Sequence, residues 1–159
     1  MKKIFGLVVM AMSMLFTANA MASTGVESVD AVTSTADYDG DYDGVISNVT
    51  MNGKSYSNED ATFTIESNVL ICDFPQIGKM PGTITVELPI SINEATGEIT
   101  ATPGTSAGFL TLKVGGEAPL YLDSLTNAKV ENGTLEFDMA VHGTYLSIIK
   151  FPASFHFKG

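Results

Sequence analysis

From about Tyr42 to the C-terminus, apolar and polar residues alternate in short runs separated by turn residues, which is the pattern of an all-β sandwich or barrel. The clearest run is 83–92. Ile84, Val86, Leu88, Ile90 and Ile92 share one face, and Thr83, Thr85, Glu87 and Ser91 share the other. Pro89 falls on the polar side; lacking a donor, it predicts a bulge or an unpaired position. In 134–141, Leu135, Phe137, Met139 and Val141 face one way, and Glu136, Asp138 and Ala140 the other. No stretch carries a helical period long enough to predict a helix.

Turn chemistry predicts the connections. Asn52-Gly53 and Asn132-Gly133 suit two-residue type I′ turns, because both positions tolerate positive φ. Gly115-Gly116 reads as a hairpin turn. The Asn132-Gly133 turn sets Val130 opposite Leu135 and Ala128 opposite Phe137, with Lys129 opposite Glu136 on the outside. The next connection is expected at His142-Gly143-Thr144. That loop sets Phe137 opposite Ile149, Leu135 opposite Phe151 and Glu136 opposite Lys150, matching apolar with apolar and acid with base. Glu94-Ala95-Thr96-Gly97 likewise sets Ile92 opposite Ile99 and Ile90 opposite Ala101. Consecutive hairpins form a meander, and closing it removes both sheet edges. The expected fold is therefore all-β, a small antiparallel meander barrel of about eight to ten strands.

The first residues have a different pattern. Met1-Lys2-Lys3 precedes an apolar run from Ile4 to Phe16 and then Ala18-Asn19-Ala20 and Ala20-Met21-Ala22. These are the n-region, h-region and A-x-A cleavage site of a signal peptide over 1–22, with Ala20 as the other cleavage choice. The run is shorter than the about 20 apolar residues of a membrane span. No cysteine follows it to carry a lipid. The expected product is periplasmic or secreted, without membrane insertion after cleavage. Residues 23–39 read as a flexible leader and 40–159 as the barrel domain.

Charge narrows the partners. The chain has 18 acidic and 8 basic residues, and all the basic ones are lysine. Losing Lys2 and Lys3 leaves six lysines against 18 acids, a charge of −12. Such a surface repels phosphate backbones and anionic lipid, so nucleic acid is excluded as a partner class. Without arginine, no guanidinium fork can clamp a carboxylate or phosphate. Cys72 is alone in the apolar stretch Val69-Leu70-Ile71-Cys72, so it forms no intrachain disulfide and is expected as a buried thiol.

Candidate chemistry is sparse. Asp39-x-Asp41-x-Asp43-Gly44 matches the first half of a calcium loop, but the twelfth position is Thr50 where a bidentate Glu is needed. The expected role of these aspartates is a solvated approach to the first strand. His142 falls in the proposed turn and His156 faces outward beside Ser154 and Lys158; neither has a second histidine at ligand spacing. No nucleophile elbow and no phosphate-cradling loop is present. No catalytic residue, metal or cofactor is expected.

Several segments resemble the calycin-like β-barrel family of secreted bacterial proteins, distant relatives of lipocalins. They are Tyr42-Asp43-Gly44-Val45, the Met51-Asn52-Gly53-Lys54 hairpin, the stretch from Cys72 through Phe74-Pro75-Gln76-Ile77-Gly78 to Ile84, and the closing strand Ile149 to Phe157. The resemblance implies an extracytoplasmic barrel and brings no catalytic residues with it. Two functions are open. One is a binding module for a small, apolar, uncharged ligand, lined by Phe63, Ile65, Phe109, Phe137, Met139 and Phe151 at the mouth or interior. The other is a filled barrel acting through its surface loops on a partner or as an inhibitor, with Phe74, Ile77 and Met80 as contacts.

Overall fold

The computed structural model describes residues 37–159 apart from 75, 79–81, 114 and 146–148, with the side chains of 145 and 149 also excepted. The predicted signal peptide and most of the leader lie outside the described residues. Eleven strands follow in chain order: β1 (Gly40–Met51), β2 (Lys54–Ser55), β3 (Glu59–Glu66), β4 (Val69–Phe74), β5 (Gly82–Pro89), β6 (Ser91–Ile92), β7 (Ile99–Thr100), β8 (Ser106–Leu112), β9 (Glu117–Glu131), β10 (Thr134–Tyr145) and β11 (Ile149–Lys158).

Eight of them close into an antiparallel barrel in the order β1-β3-β4-β5-β8-β9-β10-β11, and β11 returns to pair with β1. Neighbours in the barrel are neighbours in the chain, so this is the expected meander. β2 adds a short hairpin to β1, and β6–β7 form a separate hairpin between β5 and β8. A bridge from Glu98 to Lys129 ties that hairpin to β9.

The turns follow residue chemistry. Asn52 and Gly53 have φ of 50° and 72°, and Asn132 and Gly133 have 52° and 78°, as type I′ turns require. Ser67 and Asn68, at 50° and 63°, make a third such turn, which the sequence pattern did not signal. Lys129 meets Glu136, Val130 meets Leu135, and Ile92 meets Ile99, as expected. Beyond Glu136 a bulge in β9 shifts the register, so Ala128 does not sit squarely opposite Phe137. The run at 83–92 is interrupted after Pro89, and the Ile90 N–H leaves it to bond the Asn68 carbonyl at 2.9 Å.

The last hairpin corrects the expected register. β10 runs through His142-Gly143-Thr144 to Tyr145, so these residues are strand and not loop. Phe137 faces Phe157, Glu136 faces Lys158, and Thr144 faces Lys150. The two registers share the same parity, so both bury the same faces; they differ only in offset. Gly143 can stay in the strand because the Phe151 ring occupies the space its Cβ would take. Aromatic cover of this kind compensates the missing side chain of a strand glycine.

The inward faces interlock around phenylalanine. Phe63, Phe137 and Phe157 each have 0% exposure. The Phe63 ring stands edge-on to Phe137 at 5.0 Å and lies 4.6 Å from Phe157. Phe155 continues the stack toward Phe74 at 4.9 Å. Offset and edge contacts of this kind add to the area they bury. Truncating a ring in such a packed interior leaves a cavity, so Phe137→Ala is expected to cost about 3–5 kcal/mol in urea unfolding. A loss below about 1 kcal/mol there would mean that the interior is loosely filled.

Candidate functional site

The barrel has one weak seam. The β3–β4 ladder consists of Glu66↔Val69, Ile65↔Leu70 and Thr64↔Ile71, although β3 extends back to Glu59 and β4 on to Phe74. Continued in the same register, Asp60 would fall opposite Pro75, which has no N–H to give. Asp73 would lie diagonally across from Asp60, with like charges on one face. The side chains also bond away from the seam. The Thr62 hydroxyl donates to Asp43 on β1 at 2.6 Å, and the Thr85 hydroxyl of β5 donates to Asp73 at 3.1 Å. Each strand is thus held by its other neighbour.

The segment before β3 and the segment after β4 touch each other. The Tyr56 ring lies against Gly78, whose φ of 57° and lack of a Cβ allow the approach. Ile77 is fully buried beside them. On the outer side the parting leaves a cleft of about 830 Å³, lined by Asp43, Gly44, Val45, Asp60, Ala61, Thr62, Thr64, Ile71, Cys72 and Asp73. Its volume lies within the roughly 300–1,000 Å³ of ligand sites. Val45, at 41% exposure, is the large apolar side chain left open to solvent among the described residues, and it lies in this cleft.

The residues expected to line a ligand cavity take a different arrangement. Phe63, Ile65, Phe137 and Met139 are buried inside the barrel, but the first and third fill it by mutual contact. Phe151 is half-buried over Gly143 near one pole. Phe109 does not point inward: it sits opposite Thr85 and Pro119 on the outer face, while its neighbour Leu110 is buried. A bulge between Ser106 and Gly108 separates it from the inward-facing Ala107, an offset that alternation alone cannot reveal. At the pole near Met51, Phe74, Ile84 and Phe155 an apolar hollow offers about 20 Å³. That is room for about one water molecule.

The expected loop contacts are also changed. Phe74 and Ile77 are buried at 7% and 0%, so they present no apolar patch to a partner. Met80 lies outside the described residues. The aspartates of the calcium-like run are strung along β1 and its approach. Asp41 and Asp43 accept hydrogen bonds from Thr64 and Thr62, and Asp39 accepts one from the Ser67 N–H. They do not converge on a point. In the sequence, Val45 and Asp73 belong only to the family-resembling segments and Asp60 to none; the cleft at β3 and β4 brings the three together.

Cys72 lies at the cleft floor, 3% exposed. Burial, with a smaller contribution from Asp73, pushes its thiol up to about 12 from 9.0. At pH 8 this lowers the thiolate fraction about a thousandfold, and the thiolate is the reacting species. Ellman's reagent is therefore expected to leave Cys72 unmodified in the native protein and to react promptly in denaturant. Rapid native modification would show that the cleft floor opens.

Two histidines stand on the outer face. His142, in β10 and not in a turn, donates from Nδ1 to Asp123 at 2.7 Å. His156 donates from Nδ1 to Asp138 at 2.9 Å. The hydroxyls of Thr50 and Ser154, paired across β1 and β11, bond each other at 2.7 Å. Among the described residues no three His, Cys, Asp or Glu side chains gather as a metal site. Asp138 sits below the ordinary carboxylate range chiefly because the Asn127 amide donates to it at 2.7 Å. His156 adds to the lowering, and partial burial opposes it. A depressed carboxyl stabilises the fold above its unfolded pKa, and that contribution is lost as pH falls through the folded value. Asn127→Gly keeps the positive φ of 53° and removes the donor. Carboxyl carbon NMR is expected to show Asp138 titrating at higher pH in this variant. An unmoved titration would assign the depression to His156.

No family model, curated protein or solved structure matches the chain.

Proposed function

We propose that this chain is an exported polypeptide-binding barrel that works from its outer surface, at the cleft where β3 and β4 part. The first 22 residues would act as the signal peptide, and the domain would belong with the calycin-like secreted barrels it resembles. The observation that carries this reading is the contrast between the inside and the outside. The axis is occupied by interlocked phenylalanine rings, while an open cleft with free strand edges and an exposed valine lies on the wall. Free edges bind polypeptide readily, since main-chain groups there lack partners. The role is binding and not catalysis. The alternative, a small apolar ligand within the barrel, would draw on the hollow of about 20 Å³, which holds about one water molecule.

The test uses a photo-crosslinking amino acid at position 45, with a second variant at Tyr121 on the outer face of β9 as control. In the native host, discrete protein adducts are expected from position 45 and none from position 121. Native mass spectrometry of the purified protein is expected to give the bare mature mass. A co-purifying small molecule of fixed mass, with no adduct at position 45, would overturn the proposal in favour of an internal ligand.

A further inference from the structure

The chemistry of the occupant can be taken further, resting on the cleft as the binding surface. Two features of the cleft are independent of each other. The first is backbone. In an antiparallel ladder, N–H and C=O groups of alternate residues point to the same side. Glu66 and Thr64 face β4 through the hairpin, so Thr62 and Asp60 are next in line on that edge, and the ladder stops before them. The second is charge. Asp43, Asp60 and Asp73 line the cleft, and Asp41 adjoins it on the same face of β1. Among the described residues, Asp41, Asp43 and Asp73 accept side-chain hydrogen bonds from the neutral hydroxyls of Thr64, Thr62 and Thr85. The lysine ion pairs of the described residues, Lys129–Glu131 and Lys158–Glu136, lie elsewhere.

A point cation does not suit this array, because the carboxylates are spread along strands and do not form a cage. Residues two apart on a strand are about 6.6–6.8 Å apart, and Asp41 and Asp43 have that spacing. An extended partner segment with lysine or arginine at alternate positions repeats it. Val45 and Ile71, on the same outer face as the aspartates, then meet the aliphatic stems of those lysine or arginine side chains. We propose that the cleft takes a lysine- or arginine-bearing extended segment of a partner polypeptide, which adds as a strand along the free edge of β3 at Thr62 and Asp60.

The experiment titrates isotope-labelled protein with acetyl-Lys-Val-Lys-Val-Lys-amide and follows backbone amides by NMR. The expected result is shifts at residues 43–45, 60–62 and 73, with slowed hydrogen exchange at Asp60 and Thr62. Three comparisons probe the assignment: the same peptide with backbone N-methylation, a threonine-for-lysine version and a glutamate-for-lysine version. Each is expected to bind at least about tenfold more weakly, as is the lysine peptide to the D60N/D73N variant. Both substituted aspartates are exposed, so that variant is expected to fold, and its unchanged amide spectrum away from the cleft verifies this. Equal binding of the N-methylated peptide overturns strand addition and leaves only an acidic surface. Stronger shifts at the same amides with the threonine or glutamate peptide overturn the cationic assignment while the polypeptide-binding reading stands. No response to any peptide overturns both.

Discussion

The ladder between β1 and β11 is the interaction on which the rest of the molecule depends. It runs from Val45↔Lys158 to Met51↔Ala153, joining the first long strand to the last. The other barrel ladders link strands that follow one another in the meander. Their connections run from the two-residue turns at 67–68 and 132–133 to the 90–105 segment that carries β6 and β7, all far shorter in sequence than the span from β1 to β11. This one carries the long-range closure. It converts an open meander with two exposed edges into a cylinder, and it turns every inward face toward one axis. Phe63 from β3 meets Phe137 and Phe157 from β10 and β11 only because the sheet has come round on itself. The bulge between Ser47 and Thr50, with Asn48 at a φ of 51°, lets β1 bend across both of its partners.

Closure also accounts for the cleft. A closed barrel can lose part of one ladder and remain a barrel, since its strands are held from the other side. Asp43 holds Thr62 toward β1, and Thr85 holds Asp73 toward β5. Ile77 is buried in the core, and Tyr56 before β3 packs on Gly78 after β4. The inward residues of β3 and β4 stay buried although the ladder between the two strands stops at Thr64↔Ile71. A cleft of this kind needs no hollow interior, since the phenylalanine stack fills the axis while the cleft opens on the wall.

Much of the fold was legible because alternation is a strong constraint. The inward sets Leu135, Phe137, Met139 and Ile84, Val86, Leu88 follow directly from period-two patterning, and Asn-Gly pairs mark two of the hairpins. The site was much less legible. Asp43 was visible as part of an acidic run, but as a false metal motif. Asp60, Asp73 and Val45 are widely separated polar or single apolar residues with no spacing that distinguishes them from any solvated strand face. The Ser67-Asn68 turn lacks the glycine that makes such turns recognisable, so the hairpin that opens into the cleft left no clear mark.

The sequence by itself determined an all-β chain, the parity of its strands, the positions of its glycine turns and a strong negative charge. It could not determine offset: pairing Phe137 with Ile149 or with Phe157 buries the same faces, and acid meets lysine in either case. That choice, the outward turn of Phe109 after a bulge, and the parting of β3 from β4 were decided only by tertiary structure. The physical reason is that parity is a local property of the backbone. Offset, bulges and lost ladder bonds are settled by how all eight strands share one circumference and one packed axis.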